Sequence, residues 1–163
     1  MLDHERPIDA ILRQYGVADA FSLQRLVTSV DQVLMKSGSW SYQDPGLLNT
    51  KIVRQLESLD RTGITNEENE WIDEIIWLWY HHATSTALFP CRDREQAKIF
   101  AAKALEYQVQ APHPNAITWL LYLLANGRIE EAREYVDSMI RQDNVDKETA
   151  KGVLEDYGTH TPA

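Results

Sequence analysis

The sequence predicts an all-α protein of about eight helices. Apolar residues recur at steps of three and four along nearly the whole chain, a spacing that places them on one face of a helix. No segment alternates convincingly between apolar and polar residues, so the pattern does not favour strands. Glycine, proline and capping residues separate the helical segments, and two segments in the C-terminal half repeat each other. Together these three observations favour a fold built from helical hairpins.

The first part of the chain predicts three helices with recognisable ends. Proline is favoured in a first helical turn because its missing N–H would have no partner there, and aspartate is a favoured N-cap. Glycine ends helices because it adopts the left-handed conformation without strain. The predicted helices run from Pro7 to Gly16, from Asp19 to Gly38, and from Asp44–Pro45 to a point before Gly63.

The fourth helix has the clearest start signal in the chain. Thr65, with Glu68 three residues later, forms a capping-box pattern ahead of a long apolar run. We expect this helix to continue to about Leu88, because Pro90 then stops it. Asp93 follows as the predicted N-cap of the fifth helix.

Three more helices complete the predicted chain. The sixth closes at Gly127, the seventh begins at Ile129, and Asp146 caps the eighth. Because no linker divides the sequence, we expect a single all-helical domain over residues 1–158. Its expected parts are N-terminal helices (1–63), hairpins (64–144) and a capping helix (145–158), followed by a frayed tail (159–163).

The second helices of two hairpins place small or apolar residues at matching positions. Ala97 corresponds to Ala132 and Ala104 to Met139, and both pairs are 35 residues apart. A constant period of this size is typical of helical repeats. Alanine lets paired helices approach closely, and Gly127 permits the left-handed backbone of a tight turn.

This pattern resembles the tetratricopeptide repeat. Residues 126–132 look like the turn and second-helix entry of that family, and the resemblance covers about two units over residues 69–144. It implies a right-handed array of antiparallel helical hairpins with a C-terminal capping helix. In such an array the first helices of the units line a concave face that receives partners. The alternative architecture is a non-repetitive helical bundle.

Composition and charge restrict the classes of partner. The net charge is −9, whereas nucleic-acid binding depends on cations that neutralise phosphates, so neither nucleic acids nor anionic membranes are expected partners. Cys91 is the only cysteine, which precludes an intrachain disulfide and suits a reducing compartment. The N-terminus lacks a signal-peptide pattern, and no apolar stretch is long enough to span a bilayer. We therefore expect a cytoplasmic protein.

Aromatic residues concentrate on the first helices of the two hairpins. The expected partner-binding residues are Trp77, Tyr80, His81, Arg94, Trp119 and Tyr122. Trp77 lies about 160° from Trp79 around a helix. It is therefore either a groove residue of the kind enriched at binding hot spots, or part of a helix that is core on every side. The sequence leaves these two alternatives open.

The expected function is a protein–protein interaction module: an adaptor, chaperone or assembly factor that binds a protein or peptide with basic segments. A homodimer is compatible with the same reading. The alternative is an acidic antitoxin or immunity-type inhibitor that blocks a basic enzyme through surface charge.

A small helical-bundle enzyme using Cys91 or the histidines is the less favoured reading, and we expect neither catalytic residues nor a cofactor. His81 and His82 are adjacent, so they point about 100° apart on a helix and cannot bind one ion together. Because their spacing to Cys91 matches no zinc signature, no metal is expected either.

Overall fold

The structure, a computed structural model, describes residues 5–38, 40–42, 46–108 and 115–160. Within these ranges the chain forms eight α-helices and no strand, which confirms the all-α prediction. The helices are α1 (Pro7–Gln14), α2 (Ala20–Ser37), α3 (Leu48–Glu57), α4 (Asn66–Leu88), α5 (Arg94–Gln108), α6 (Ala116–Ala125), α7 (Ile129–Arg141) and α8 (Lys147–His160). None of the helices in the described ranges combines the length and apolar character needed to cross a bilayer.

The helix starts follow the capping chemistry of the sequence. The predicted capping box is present at α4, where the Thr65 hydroxyl accepts from the Glu68 N–H (3.1 Å) and the Glu68 carboxylate accepts from the Thr65 N–H (3.0 Å). The Asp19 side chain caps α2 by accepting from the Ser22 N–H (2.7 Å). The predicted cap of α3 at Asp44–Pro45 lies outside the described residues.

Helix α4 is the centre of the molecule. It packs against α2, α3, α5 and α6. Side chains on most of its circumference are buried, including Ile72, Ile75, Ile76, Trp77, Trp79, Ala83 and Ala87. A helix that is apolar nearly all round is the kind expected at the interior of a helical protein. Of the two alternatives for Trp77, a groove residue or a core residue, the structure shows the core residue, since this side chain is only 6% exposed.

The helices pack mainly in chain order. From α2 onward each helix contacts the next, and the even-numbered helices α2, α4, α6 and α8 also contact one another in succession. Helix α5 lies closely on α4 through the fully buried Ala97, Ala101 and Ala104, since small side chains allow two helix backbones to approach. Most of the buried apolar residues form one continuous core, which extends from Ile8 to Tyr157.

Candidate functional site

An open cleft with aromatic walls lies where α3, α4 and α5 meet. Its volume is about 260 Å³. We call it the aromatic cleft, and it is lined by Thr50, Val53, Arg54, Glu57, Trp79, Tyr80 and Phe100. Tyr80 and Phe100 are half-buried, whereas Arg54 and Glu57 are exposed at its edge. The cleft therefore offers apolar surface and two opposite charges to a molecule arriving from solvent.

The floor of the aromatic cleft is rigidly held. The Trp79 indole N–H donates to the Thr50 hydroxyl across 3.0 Å, which joins α4 to α3 and satisfies a buried donor. The Phe100 ring, from α5, stands edge-to-face on Trp79 with centroids 5.7 Å apart. Phe100 also stands edge-to-face on Tyr42, at 4.9 Å. The floor is thus assembled from three helices and a loop, which is why no single sequence motif indicated it.

Tyr80 of the cleft lining packs against Tyr107 of α5, and we call this pair the tyrosine end of the cleft. The rings of Tyr80 and Tyr107 are nearly parallel, with an interplanar angle of 8° and centroids 6.2 Å apart. The Tyr80 hydroxyl donates to the Glu57 carboxylate across 2.7 Å. Burial raises the pKa of the Tyr80 phenol, and the hydrogen bond to Glu57 and its charge raise it further. Tyr80 therefore stays neutral and keeps its O–H as a donor.

Charged groups of both signs lie around the two tyrosines. Burial is the main cause of the raised pKa of Tyr107, and the carboxylates of Glu57, Glu106 and Asp73 raise it further while the Arg61 guanidinium lowers it. Arg61 is already engaged, since its guanidinium donates to Asp73 (2.9 Å) and to an Asn69 oxygen (2.8 Å). Asp73 therefore has a cationic partner, whereas Glu57 accepts from the Tyr80 hydroxyl and has no ion-pair partner among the described residues.

Of the six residues proposed from the sequence for partner binding, Tyr80 lines the aromatic cleft. Trp77 and His81 instead meet at the Thr118 hydroxyl of α6: the Trp77 N–H donates to Thr118 Oγ1 (3.0 Å), and His81 Nδ1 lies 2.8 Å from the same oxygen. The hydroxyl accepts from Trp77, and the tautomer of the His81 ring determines whether Nδ1 donates to this oxygen or accepts from it. Burial lowers the pKa of His81 to about 3, so its ring is neutral.

Trp119 and Tyr122 lie on the surface of α6. Both are half-buried, and their rings stack with centroids 5.2 Å apart and an interplanar angle of 20°. They form an aromatic surface of their own. Trp119 directly follows Thr118, and Tyr122 lies one helical turn after Thr118.

Arg94 connects distant parts of the chain. Its guanidinium donates to the Tyr157 hydroxyl of α8 (2.6 Å) and lies against the turn at Gly127, where an added Cβ would be 3.6 Å from Nη2. Gly127 has φ +71, so the turn favours glycine on backbone grounds as well. In this structure Arg94 holds the start of α5 to the α6–α7 turn and to α8.

A buried polar cluster surrounds Asp31 and was not among the sites predicted from the sequence. This α2 carboxylate is 3% exposed and accepts from the indole of Trp40 (3.1 Å) and the amide of Asn49, while His82 Nε2 lies 3.2 Å away. Burial raises the pKa of Asp31 and lowers that of His82, so each group is pushed towards its neutral form. The sequence signal for this cluster was Asp31 itself, a charged residue that follows Val27 by four places on the apolar face of α2.

The remaining candidates for reactive chemistry are Cys91 and a metal site. Cys91 is an exposed free cysteine. Within the described part of the chain, no three His, Cys, Asp or Glu side chains are grouped so that they could bind a metal ion.

Comparisons of the chain with protein-family models, with curated proteins and with solved structures found no match.

Proposed function

We propose that this protein is a protein–protein interaction module, an adaptor, chaperone or assembly factor, that binds a peptide segment of its partner in the aromatic cleft. The observation that carries the proposal is a solvent-accessible concave surface with a rigid aromatic floor and polar side chains at its edge. Aromatic residues dominate the free energy of protein interfaces because they bury a large area at low entropic cost. Grooves of this kind receive extended or helical peptides.

The packing order of the helices supports a tetratricopeptide-like scaffold. Successive contacts along the chain, with the even-numbered helices in a row, are what stacked hairpins produce. The full burial of Ala97 and Ala132, two small residues of the repeat pattern, also supports this scaffold, because small side chains let stacked helices approach closely. Such a scaffold holds a binding surface in place and needs no reactive group of its own.

The charge of the chain favours a partner with a basic segment. A net charge of −9 attracts basic proteins and accelerates their association. The Glu57 carboxylate would then orient a basic residue within the aromatic cleft.

Site-specific photo-crosslinking in a lysate of the native host tests this function. A photo-crosslinking residue replaces Arg54 at the aromatic cleft, Tyr122 on the α6 surface, or Glu134, an exposed α7 residue that serves as the control. We expect position 54 to capture one discrete partner that position 134 does not capture. Capture from position 122 alone would move the binding surface to α6 and overturn the assignment of the aromatic cleft.

Salt dependence separates this proposal from an acidic inhibitor. Docking of aromatic side chains retains most of its affinity when salt is added, because apolar burial is not screened. An inhibitor that acts through surface charge alone loses most of its affinity and crosslinks from many acidic positions. That result would replace the proposed module with the acidic inhibitor.

A further inference from the structure

We propose that the tyrosine end of the aromatic cleft binds an arginine side chain of the partner segment, with the guanidinium between the ring faces and the Glu57 carboxylate. This inference rests on the proposed function, because it names the chemistry that the same cleft recognises. Three features of the site support it: the aromatic rings at the tyrosine end, the Glu57 carboxylate, and the position of Arg54, a cation that lines the cleft.

The aromatic faces suit a planar cation. The face of a tyrosine ring carries negative electrostatic potential, and a cation within about 6 Å of the ring centroid is attracted to it. Tyr80 is surrounded by rings on several sides, with Phe100 at 6.1 Å, Trp79 at 5.1 Å and Tyr107 parallel to it. Guanidinium groups stack on such faces because they are planar and weakly hydrated, which favours arginine over lysine.

Glu57 supplies the counter-charge. Glu57 is exposed and accepts a hydrogen bond from Tyr80, and no Lys, Arg or His among the described residues lies within ion-pair distance of it. Lys103 is 3.7 Å from Glu106, and Arg61 is engaged by Asp73, so two nearby cations already have acidic partners. An arriving guanidinium would therefore meet Glu57 with two N–H donors in a geometry that carboxylates accept.

Arg54 is the cation that lines the aromatic cleft and could oppose such a ligand. It lies three residues before Glu57, one turn earlier on α3. The Arg54 charge would repel a guanidinium bound at Glu57. Removing the Arg54 charge should consequently leave binding of an arginine unchanged or strengthen it, whereas removing the Glu57 charge should weaken it.

A peptide titration followed by NMR tests the inference. The probes are the capped tripeptides Gly-Arg-Gly, Gly-Lys-Gly, Gly-citrulline-Gly and Gly-Leu-Gly, where citrulline has nearly the shape of arginine without its charge. We expect the arginine probe to shift the amide signals of Thr50, Glu57 and Phe100, and to bind about 3- to 10-fold more tightly than the citrulline probe. Equal affinity of the two probes would overturn the inference.

Three charge variants give the test its controls. Glu57→Gln should reduce the affinity for the arginine probe about 3- to 10-fold, while Arg54→Gln should not reduce it. Glu134→Gln removes the same charge from an exposed site on α7 and should leave the affinity within two-fold. Equal losses in Glu57→Gln and Glu134→Gln would mean that the probe is held by overall charge, and a loss in Arg54→Gln would mean that the probe depends on contact with the Arg54 side chain; either result would overturn the inference.

Failure of this inference is distinguishable from failure of the proposed function. If the leucine and citrulline probes shift the cleft signals as strongly as arginine does, the cleft binds peptides but does not select a cation. If no probe shifts those signals, the arginine inference is overturned. The crosslinking experiment still decides independently whether the cleft binds a protein partner.

Discussion

The Thr118 hydroxyl shows how a small side chain can decide the role of two larger ones. It accepts from the Trp77 indole and bonds to His81 Nδ1, so both rings are oriented towards α6. A buried indole N–H without a partner would cost about 1–3 kcal/mol. Whether Trp77 was a groove residue or a core residue could not be decided from the sequence, because the answer depends on which helix covers that side of α4.

Replacing the Trp77 indole should therefore lower stability. We expect Trp77→Phe to reduce the free energy of unfolding by about 1–3 kcal/mol, because it removes a buried hydrogen bond and leaves a void. Urea unfolding followed by circular dichroism measures the change. Trp119→Phe is the matched control, since Trp119 is half-buried, and it should cost less. A variant of Trp77 as stable as the original protein would contradict the buried hydrogen bond.

His81 should make the protein less stable as the pH falls. Its pKa is 6.5 in the unfolded chain and about 3 in the fold, so between these values the unfolded chain binds a proton that the folded chain does not. The stability that neutral His81 provides is complete above pH 6.5 and is lost as the pH falls towards 3. At pH 5 the loss attributable to this one group is about 2 kcal/mol at most.

Denaturation of His81→Gln at pH 7 and pH 5 tests this expectation, because glutamine can keep a hydrogen bond to Thr118 but does not titrate in this range. The variant should lose less stability between the two pH values than the original protein does. Equal losses in the two proteins would show that other groups cause the acid sensitivity.

At the scale of the elements, local sequence signals predicted most helix ends. They did not predict the Asp31 cluster or the aromatic cleft, because both depend on tertiary contacts. The capping box at Thr65 and Glu68 depends on residues three apart, so the sequence contains all of it. The Asp31 cluster instead joins α2, α3, α4 and the loop at Trp40, and no local pattern specifies which of these helices face one another. The aromatic cleft was missed for the same reason, since α3 contributes four of its lining residues.

The start of α4 is reinforced by a long-range contact. The Arg6 guanidinium donates to both carboxylate oxygens of Glu68, at 2.7 and 2.9 Å, and also to the Gly63 carbonyl. Hydrogen bonds from Arg6 are the main cause of a Glu68 pKa lowered to about 2, and the Thr65 N–H contributes as well. Glu68 therefore caps its own helix and holds the N-terminal segment against it.

Glu68→Gln should be more destabilising than the same change at a neighbouring residue. We expect a loss of about 1–2 kcal/mol at pH 7 from the weakened cap and ion pair. Because the folded pKa is lowered, the contribution of Glu68 is present above pH 4.5 and is lost as the pH falls towards 2. Thermal unfolding measures the effect, with Glu67→Gln in the same first turn as the control. Equal effects of both changes would assign the loss to helix charge alone.

At the scale of the whole molecule, two descriptions of the architecture compete. The continuous core from Ile8 to Tyr157 is compatible with a bundle that unfolds as one unit. The contacts in chain order are compatible with an array, in which each hairpin is stabilised mainly by its neighbours. The two descriptions differ in how far a local loss of packing spreads, because an array confines it while a bundle shares it.

Tyr157→Ala distinguishes them, because Tyr157 is a buried α8 residue that also accepts a hydrogen bond from Arg94. Loss of this ring should destabilise the packing of α8 by about 3 kcal/mol. Amides that are protected by this packing should then exchange their hydrogens roughly 100-fold faster. We expect the acceleration in α7 and α8, while the amides of α4 keep their protection. Tyr157→Phe, which removes only the hydroxyl, should have a much smaller effect. If exchange accelerates equally in α4 and α8, the chain is a cooperative bundle and the tetratricopeptide-like array is wrong.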